Sequence, residues 1–281
     1  MRVLVTGAGG MLGRDLQTAL ADRPLTAATR AELDITDADA CRAAVAGHDA
    51  VVNAAAYTRV DDAESHEEEA LAVNGTGAGL LAAAAAEAGA RFVQLSTDYV
   101  FDGIATAPYP EDAPLAPRSA YGRTKARGEE LVRAAHPAPH IVRTAWLYGE
   151  HGPSFPRTML RLAAQNDTVS VVTDQLGQPT WTRDLAAAIV ALLDADAPAG
   201  VYHATSSGEA SWFELAKAVF ELHGLDPARV RPTDSASFVR PAPRPAYSVL
   251  GHAAWAAAGL AEPRPWREAL EEAAALRILL P

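Results

Sequence analysis

Residues 2–21 constrain the fold more than any other stretch. Arg2 to Thr6 is a short run rich in β-forming side chains, and Gly7-Ala-Gly-Gly-Met-Leu-Gly13 follows at once. Glycines at 7, 10 and 13 permit a tight turn, close approach of a pyrophosphate to the backbone, and close packing of helix on strand. A helix from about Met11 to Ala21 then presents its N-terminal amides to the phosphates. The spacing, Gly-x-x-Gly-x-x-Gly, is a variant of the usual dinucleotide fingerprint. A glycine-rich turn by itself says little; the strand before it and the helix after it supply the required context.

The chain beyond repeats that alternation. Leu25 to Thr29 reads as a second strand and Ala50-Val-Val-Asn-Ala-Ala-Ala56 as a buried parallel strand ending in small residues, which leave room for a flat cofactor. Asp61 to Ala88 reads as one helix with acids at its favourable N-terminal end. Arg91 to Ser96 is the next strand, a helix carries Tyr121 and Lys125, and His140 to Ala145 is a strand again. Strands and helices in turn spell an α/β fold, a Rossmann-type doubly wound parallel sheet. Residues 1–146 are expected to form this nucleotide-binding domain, with 182–204 rejoining it, and 147–281 a smaller substrate-binding lobe. In that second part helices are expected at Phe155 to Gln165, Asp184 to Leu193, from a Ser211 cap to His223, and at Trp266 to Leu276. Val169 to Val172 and Gly200 to Ala204 read as strands, and Asp174 to Thr180 as a loop.

In open α/β sheets ligands bind beyond the C-terminal ends of the strands. Tyr57-Thr58 and Thr97-Asp-Tyr-Val-Phe-Asp-Gly103 stand at two such ends. Where an NAD site carries an acid on the adenosine ribose, this chain has Thr29-Arg30, and Arg30 could pair with a 2′-phosphate. Glu32 close by would oppose one, and Asp34-Ile35 could flank the adenine. Tyr121 and Lys125 are four apart on a helix and so share a face. A cation beside a phenol lowers its pKa and makes it a usable proton donor. Trp146 follows its strand into the same cleft, either as a flat platform for a sugar or as a core anchor of the second lobe. Asn74 reads either as a buried brace of the site or as a plain polar helix position. Arg240 and Arg244, in a proline-rich loop, either hold a substrate diphosphate or stay solvated.

Composition removes other classes. The net charge of −11 argues against a nucleic-acid binder and gives no reason to invoke a membrane. One cysteine, Cys41, cannot form an internal disulfide, and the N-terminus runs straight into a strand pattern without a signal peptide, so a cytoplasmic location is expected. The eight histidines show no paired metal-ligand spacing, so no metal site is read from them.

The glycine turn, Ser96-Thr-Asp-Tyr-Val-Phe-Asp-Gly103 and Tyr121-x-x-x-Lys125 resemble the extended short-chain dehydrogenases/reductases. More narrowly, the chain is similar to the dTDP-4-dehydrorhamnose reductase family. Asn53-Ala-Ala-Ala-Tyr-Thr58, Arg143-Thr-Ala-Trp-Leu-Tyr148, Asp174-Gln-x-Gly-x-Pro-Thr180 and Arg244-Pro-x-x-Ser-x-Leu250 extend the match over most of the chain. The resemblance implies a catalytic set of Thr97, Tyr121 and Lys125, with Asp98, Tyr99 and Trp146 near the sugar. It implies a cofactor site including Gly7, Gly10, Met11, Leu12, Arg30, Asp34, Ile35, Ala55, Ala56, Tyr57 and Thr58, taking NADPH or NADH. The implied reaction is reduction of the C4 ketone of a nucleotide-activated 4-keto-6-deoxy sugar, by a monomer or homodimer. Relatives that bridge a dimer with a divalent ion use a glutamate cluster; here Arg183 stands where a carboxylate is expected, although Asp15 is retained.

Two alternatives belong beside that reading. An epimerase or 4,6-dehydratase of the same fold would recycle tightly bound NAD, but a dehydratase commonly uses an Asp-Glu pair after its threonine, and here Tyr99 follows Asp98. A non-catalytic regulatory subunit would not need the intact Thr97, Tyr121 and Lys125.

Overall fold

Short apolar runs broken by turn-forming residues give β1 (Val3–Thr6), α1 (Met11–Ala19), β2 (Leu25–Ala28), α2 (Ala38–Val45) and β3 (Ala50–Asn53). There follow α3 (Glu67–Leu71), α4 (Ala78–Glu87), β4 (Arg91–Thr97), α5 (Ala120–Ala135) and β5 (His140–Thr144). The rest comprises β6 (Leu147–Tyr148), α6 (Phe155–Gln165), β7 (Val169–Val172), β8 (Leu176–Gly177), β9 (Thr180–Trp181) and α7 (Thr182–Asp194). Last come β10 (Gly200–His203), β11 (Ala210–Ser211), α8 (Trp212–Leu222), β12 (Val230–Thr233), α9 (Ala253–Ala257) and α10 (Trp266–Ala275). This computed structural model describes residues 1–195 and 197–280.

The main sheet has six parallel strands in the order β10-β5-β4-β3-β1-β2. Successive side chains of a strand point to opposite faces, and the two cores divide accordingly. Val3, Val5, Val52, Val93 and Val142 face α1 and α7, whereas Leu4, Val51, Phe92 and Ile141 face α2 and α4. Chain order reverses at β1, with β2 on one side and β3 on the other, so a crevice opens there above the strand ends. β10 pairs with β5, and Leu185 and Ile189 of α7 pack with Leu12 and Leu16 of α1. A separate core of Tyr148, Trp181, Phe220 and Leu270 joins α6, α8 and α10.

Two local expectations need correction. Residues 61–88 are not one helix: a 3₁₀ turn at Asp62–Glu64 and α3 lead into a π-helical turn, Ala72–Gly77, before α4. Asn74 causes no simple kink; its side chain is turned back onto the Tyr57 backbone, and α5 lies so close that a Cβ on Gly128 would stand 2.1 Å from the Asn74 carbonyl oxygen. Such π turns are frequent at functional sites. The polar stretch 174–180 also carries strand, since β8 pairs with β11 and β9 with β6.

Candidate active site

Thr97 ends β4, and its hydroxyl begins the site. It accepts from the Tyr99 N–H at 3.2 Å and donates to Asp98 Oδ1 at 2.9 Å. Asp98 is buried, and its Oδ2 meets no hydrogen-bond partner among the described residues. Burial pushes its pKa up to about 6, against the pull of the Ser248 and Thr97 hydroxyls.

α5 delivers the next groups. Its start is fixed twice over: Ser119 caps it by accepting from the Gly122 N–H, and Glu64 accepts from the Ala120 N–H at 2.8 Å. Gly122 lies against the Tyr99 carbonyl, where a Cβ would come within 2.3 Å. The Tyr121 ring consequently meets Tyr99 edge-on, centroids 5.6 Å apart and planes at 78°. One turn on, buried Lys125 donates from Nζ to the Leu95 carbonyl at 2.6 Å. Thr97, Tyr121 and Lys125 are thus brought together with Asp98 and Tyr99.

The electrostatics run opposite to the expectation from spacing. Burial, then the Asp98 charge, push the Tyr121 phenol up to about 12, with only the Thr97 hydroxyl opposing them. Lys125 does not lower it, because the ammonium is turned onto the Leu95 carbonyl. Burial in turn brings Lys125 down to about 8, opposed by the Glu129 carboxylate.

At the cofactor end, Gly7 has φ +66°, and a Cβ there would sit 2.6 Å from the Ala54 and Ala55 backbone. Gly10 begins α1 with no side-chain cap, which leaves the first amides of the helix for an anion. Asn53 holds the rim: it accepts from Thr6 at 2.6 Å and from the Ala55 N–H at 3.2 Å, and donates to Gln94 at 2.8 Å. Asn74 accepts from the Tyr57 N–H at 2.9 Å and donates to Thr124 on α5 at 3.1 Å, tying the loop of Ala55, Ala56, Tyr57 and Thr58 to that helix. Of its two readings, the brace is the one seen.

Other cofactor candidates are placed less evenly. A depression between the glycine turn and β2 is lined by Arg14, Thr29, Glu32 and His151. Arg30 is exposed and makes no ion pair among the described residues. The Glu32 carboxylate accepts from the Thr29 N–H and hydroxyl, both at 2.8 Å, which hold its pKa below the ordinary value. Asp34 is similarly engaged by Thr36. The Leu12 and Ile35 side chains point into the core. Met11 packs beside Gly149.

The loop arginines are not free, although Arg240 is still exposed to solvent. Arg240 and Arg244 both pair with Asp61, at 2.7 and 2.9 Å, strapping the loop after β3 to the 240–248 segment. Arg183 lies over the Trp181 ring, which Arg264 also approaches while paired with Asp184.

The residue reading missed a buried ion pair. Glu129 on α5 meets Arg143 of β5 through two contacts of 2.8 Å, and also accepts from Ser96 at 2.6 Å. A charge in the middle of the apolar strand His140-Ile-Val-Arg-Thr144 was the available signal. Trp212, which stacks on Trp146, was missed too.

Comparison with known proteins gives a consistent picture. The family described as RmlD substrate binding domain matches residues 1–277. The chain is 55% identical to a dTDP-4-dehydrorhamnose reductase of Streptomyces griseus, over 96% of this chain and 92% of that protein. It is 53% identical to a dTDP-4-keto-6-deoxy-D-glucose reductase of Streptomyces niveus, over 97% and 96%. Among solved structures, a dTDP-4-dehydrorhamnose reductase of Bacillus anthracis in complex with NADP superposes with a TM-score of 0.93 at 37% identity, covering 97% of this chain and 98% of that one.

Proposed function

The chain belongs to the dTDP-4-dehydrorhamnose reductase family, and on that premise we propose that it reduces the C4 ketone of a dTDP-4-keto-6-deoxy sugar with NAD(P)H. One observation carries the reading for this chain: Thr97, Tyr121 and Lys125 converge at the end of β4, alongside the crevice that the glycine turn lines.

The residues at that crevice fit a dinucleotide. The tight approach at Gly7 and the uncapped amides of α1 suit a pyrophosphate, and the small residues after β3 suit a flat ring. When bound, the reduced nicotinamide supplies a hydride to C4. Tyr121 gives its phenolic proton to the C4 oxygen as negative charge develops there. A phenol with pKa about 12 is fully protonated at neutral pH, and a secondary alkoxide is a stronger base than the phenolate left behind. Lys125, charged for the most part below its pKa of about 8, stabilises that phenolate once its ammonium turns from the Leu95 carbonyl towards it. Thr97 has a single hydroxyl proton, so holding the substrate oxygen requires it to turn away from Asp98. Proton transfer by a placed acid contributes about 10²–10⁴-fold.

The finer assignments are NADPH as the preferred cofactor, with Arg30 at its 2′-phosphate, and dTDP-4-dehydro-L-rhamnose as the sugar. Residues 147–281, apart from α7 and β10, are assigned to the sugar nucleotide. The relative from Streptomyces niveus puts the D-glucose-type ketone on the test panel. The experiment is oxidation of NADPH and NADH with each dTDP-4-keto sugar, products identified by NMR. Stoichiometric, ketone-dependent oxidation supports the reading; none with any sugar overturns it.

A further inference from the structure

Trp146 adopts φ +47°, a left-handed conformation that a non-glycine residue holds only when its surroundings impose it. The surroundings are unusually complete. Trp212, the first residue of α8, lies flat on the indole, with centroids 3.5 Å apart and planes 8° apart. Phe155 backs Trp212 at 4.5 Å. On Gly177, an added Cβ would stand 2.5 Å from Cε2, 2.7 Å from Cζ2 and 2.8 Å from Nε1 of Trp146. Cε2 lies between the other two atoms, and a point nearest to it is above the ring, not at its rim. Two groups that close cannot share one face, so Gly177 covers the face opposite Trp212.

Both jaws belong to one small ribbon. Ala210 pairs with Gly177 and Ser211 with Leu176, and Ser211 then caps α8 in a capping box with Glu214. Trp146 is half-buried although both its faces are covered, so the accessible part is the rim. No group among the described residues accepts from its Nε1. The Trp146 backbone lies close to the end of β4, because Thr144, two residues earlier, pairs in register with Thr97.

We propose that Trp212, together with the Gly177 backbone, is the positioning pair that turns the Trp146 indole edge-on to the sugar, so that a sugar hydroxyl is read by the indole N–H and not by a ring face. This rests on the reading under Proposed function and departs from the flat-platform alternative for Trp146, which also packs against the core of the second lobe. An indole N–H only donates, so it selects an oxygen at one place on the ring. A stacked ring face would accept any apolar sugar surface.

The test uses the full chain, first showing that the wild type turns over a dTDP-4-keto sugar; failure there counts against the reduction reading itself. KM and kcat for the sugar, NADPH affinity and the far-UV exciton couplet of the stacked indoles are then measured. Trp146→Phe keeps a flat ring but loses the N–H, and should raise KM about tenfold with NADPH affinity unchanged. Trp212→Leu and Gly177→Ala, which release or displace the indole from opposite sides, should each raise KM by a similar factor. Trp212→Phe, which still offers a flat ring, should restore KM to within about threefold of wild type. The wild-type couplet should persist at saturating sugar. A wild-type KM in Trp146→Phe, or in both Trp212→Leu and Gly177→Ala, would overturn the proposal. So would collapse of the couplet when the sugar binds, the result expected if the sugar stacked on the ring.

Discussion

Asp98→Asn isolates the cost of keeping a buried carboxylate near Tyr121. Asp98 is fully enclosed, and one of its oxygens lacks a partner among the described residues. Burial raises its pKa from 3.8 to about 6. A group whose folded pKa is raised adds stability below its unfolded pKa and loses it as pH rises through the folded value. Wild-type protein should therefore lose stability relative to the asparagine variant between pH 4 and 6. Two pKa units at 1.36 kcal/mol each amount to about 3 kcal/mol. Other carboxylates titrate over the same range, so the observable is a double difference. Urea unfolding of both proteins at several pH values should show the variant-minus-wild-type stability rising by about 3 kcal/mol from about pH 3 to 7. A constant offset, from the altered bonds to Thr97 and Ser248, does not affect that slope. A difference flat with pH would refute the argument and show that Asp98 is ionised without penalty in the folded protein.

Tyr121→Phe should lower turnover by at least about a hundredfold while NADPH affinity stays near wild type; activity within a few-fold would remove Tyr121 from the acid role. Arg30→Ala should weaken NADPH by about ten- to a hundredfold more than NADH, as for loss of a charge-assisted contact. Equal effects in a titration of both cofactors would leave Arg30 a surface residue, with Glu32 dominating that end of the depression. Glu129→Gln leaves Arg143 buried without its counter-charge and should cost about 3–5 kcal/mol in urea unfolding. A loss below about 1 kcal/mol would mean that the Glu111 carbonyl and His203 suffice for the arginine.

What could be read from the chain was whatever depends on near neighbours. Alternation in Val3-Leu4-Val5 and in Ala50-Val-Val52 sorts side chains onto two faces of the sheet, and the two cores follow that sorting. The Ser211 cap and the start of α6 at Phe155 are likewise local signals, and both are seen. In the sequence Arg30 and Glu32 are rivals, but only the fold gives Glu32 a fixed place on the Thr29 backbone. Trp146 shows where local reading stops. Its position after β5 is legible; its orientation depends on Gly177 and Trp212, which are distant in sequence and brought together by β8 and β11. The π turn at Ala72–Gly77 fails to show for the same reason, since Asn74 is engaged by Tyr57 and Thr124 from two other elements.

Spacing and electrostatics part company at Lys125. Four residues from Tyr121, it lies on the expected helix face, yet the sign of its influence is decided by what surrounds the ammonium. Burial alone drives the pKa of a lysine down and threatens the charge the site needs. Glu129, one further turn along α5, opposes that fall. Glu129 can stay ionised in the core because Arg143 and the Ser96 hydroxyl hold its pKa below the ordinary value despite its burial. At a pKa of about 8, the ammonium is about nine-tenths charged at pH 7, and a further unit down would leave about half. The Lys125 charge therefore depends on a carboxylate buried in the core, and on an arginine from the neighbouring strand that keeps this carboxylate charged.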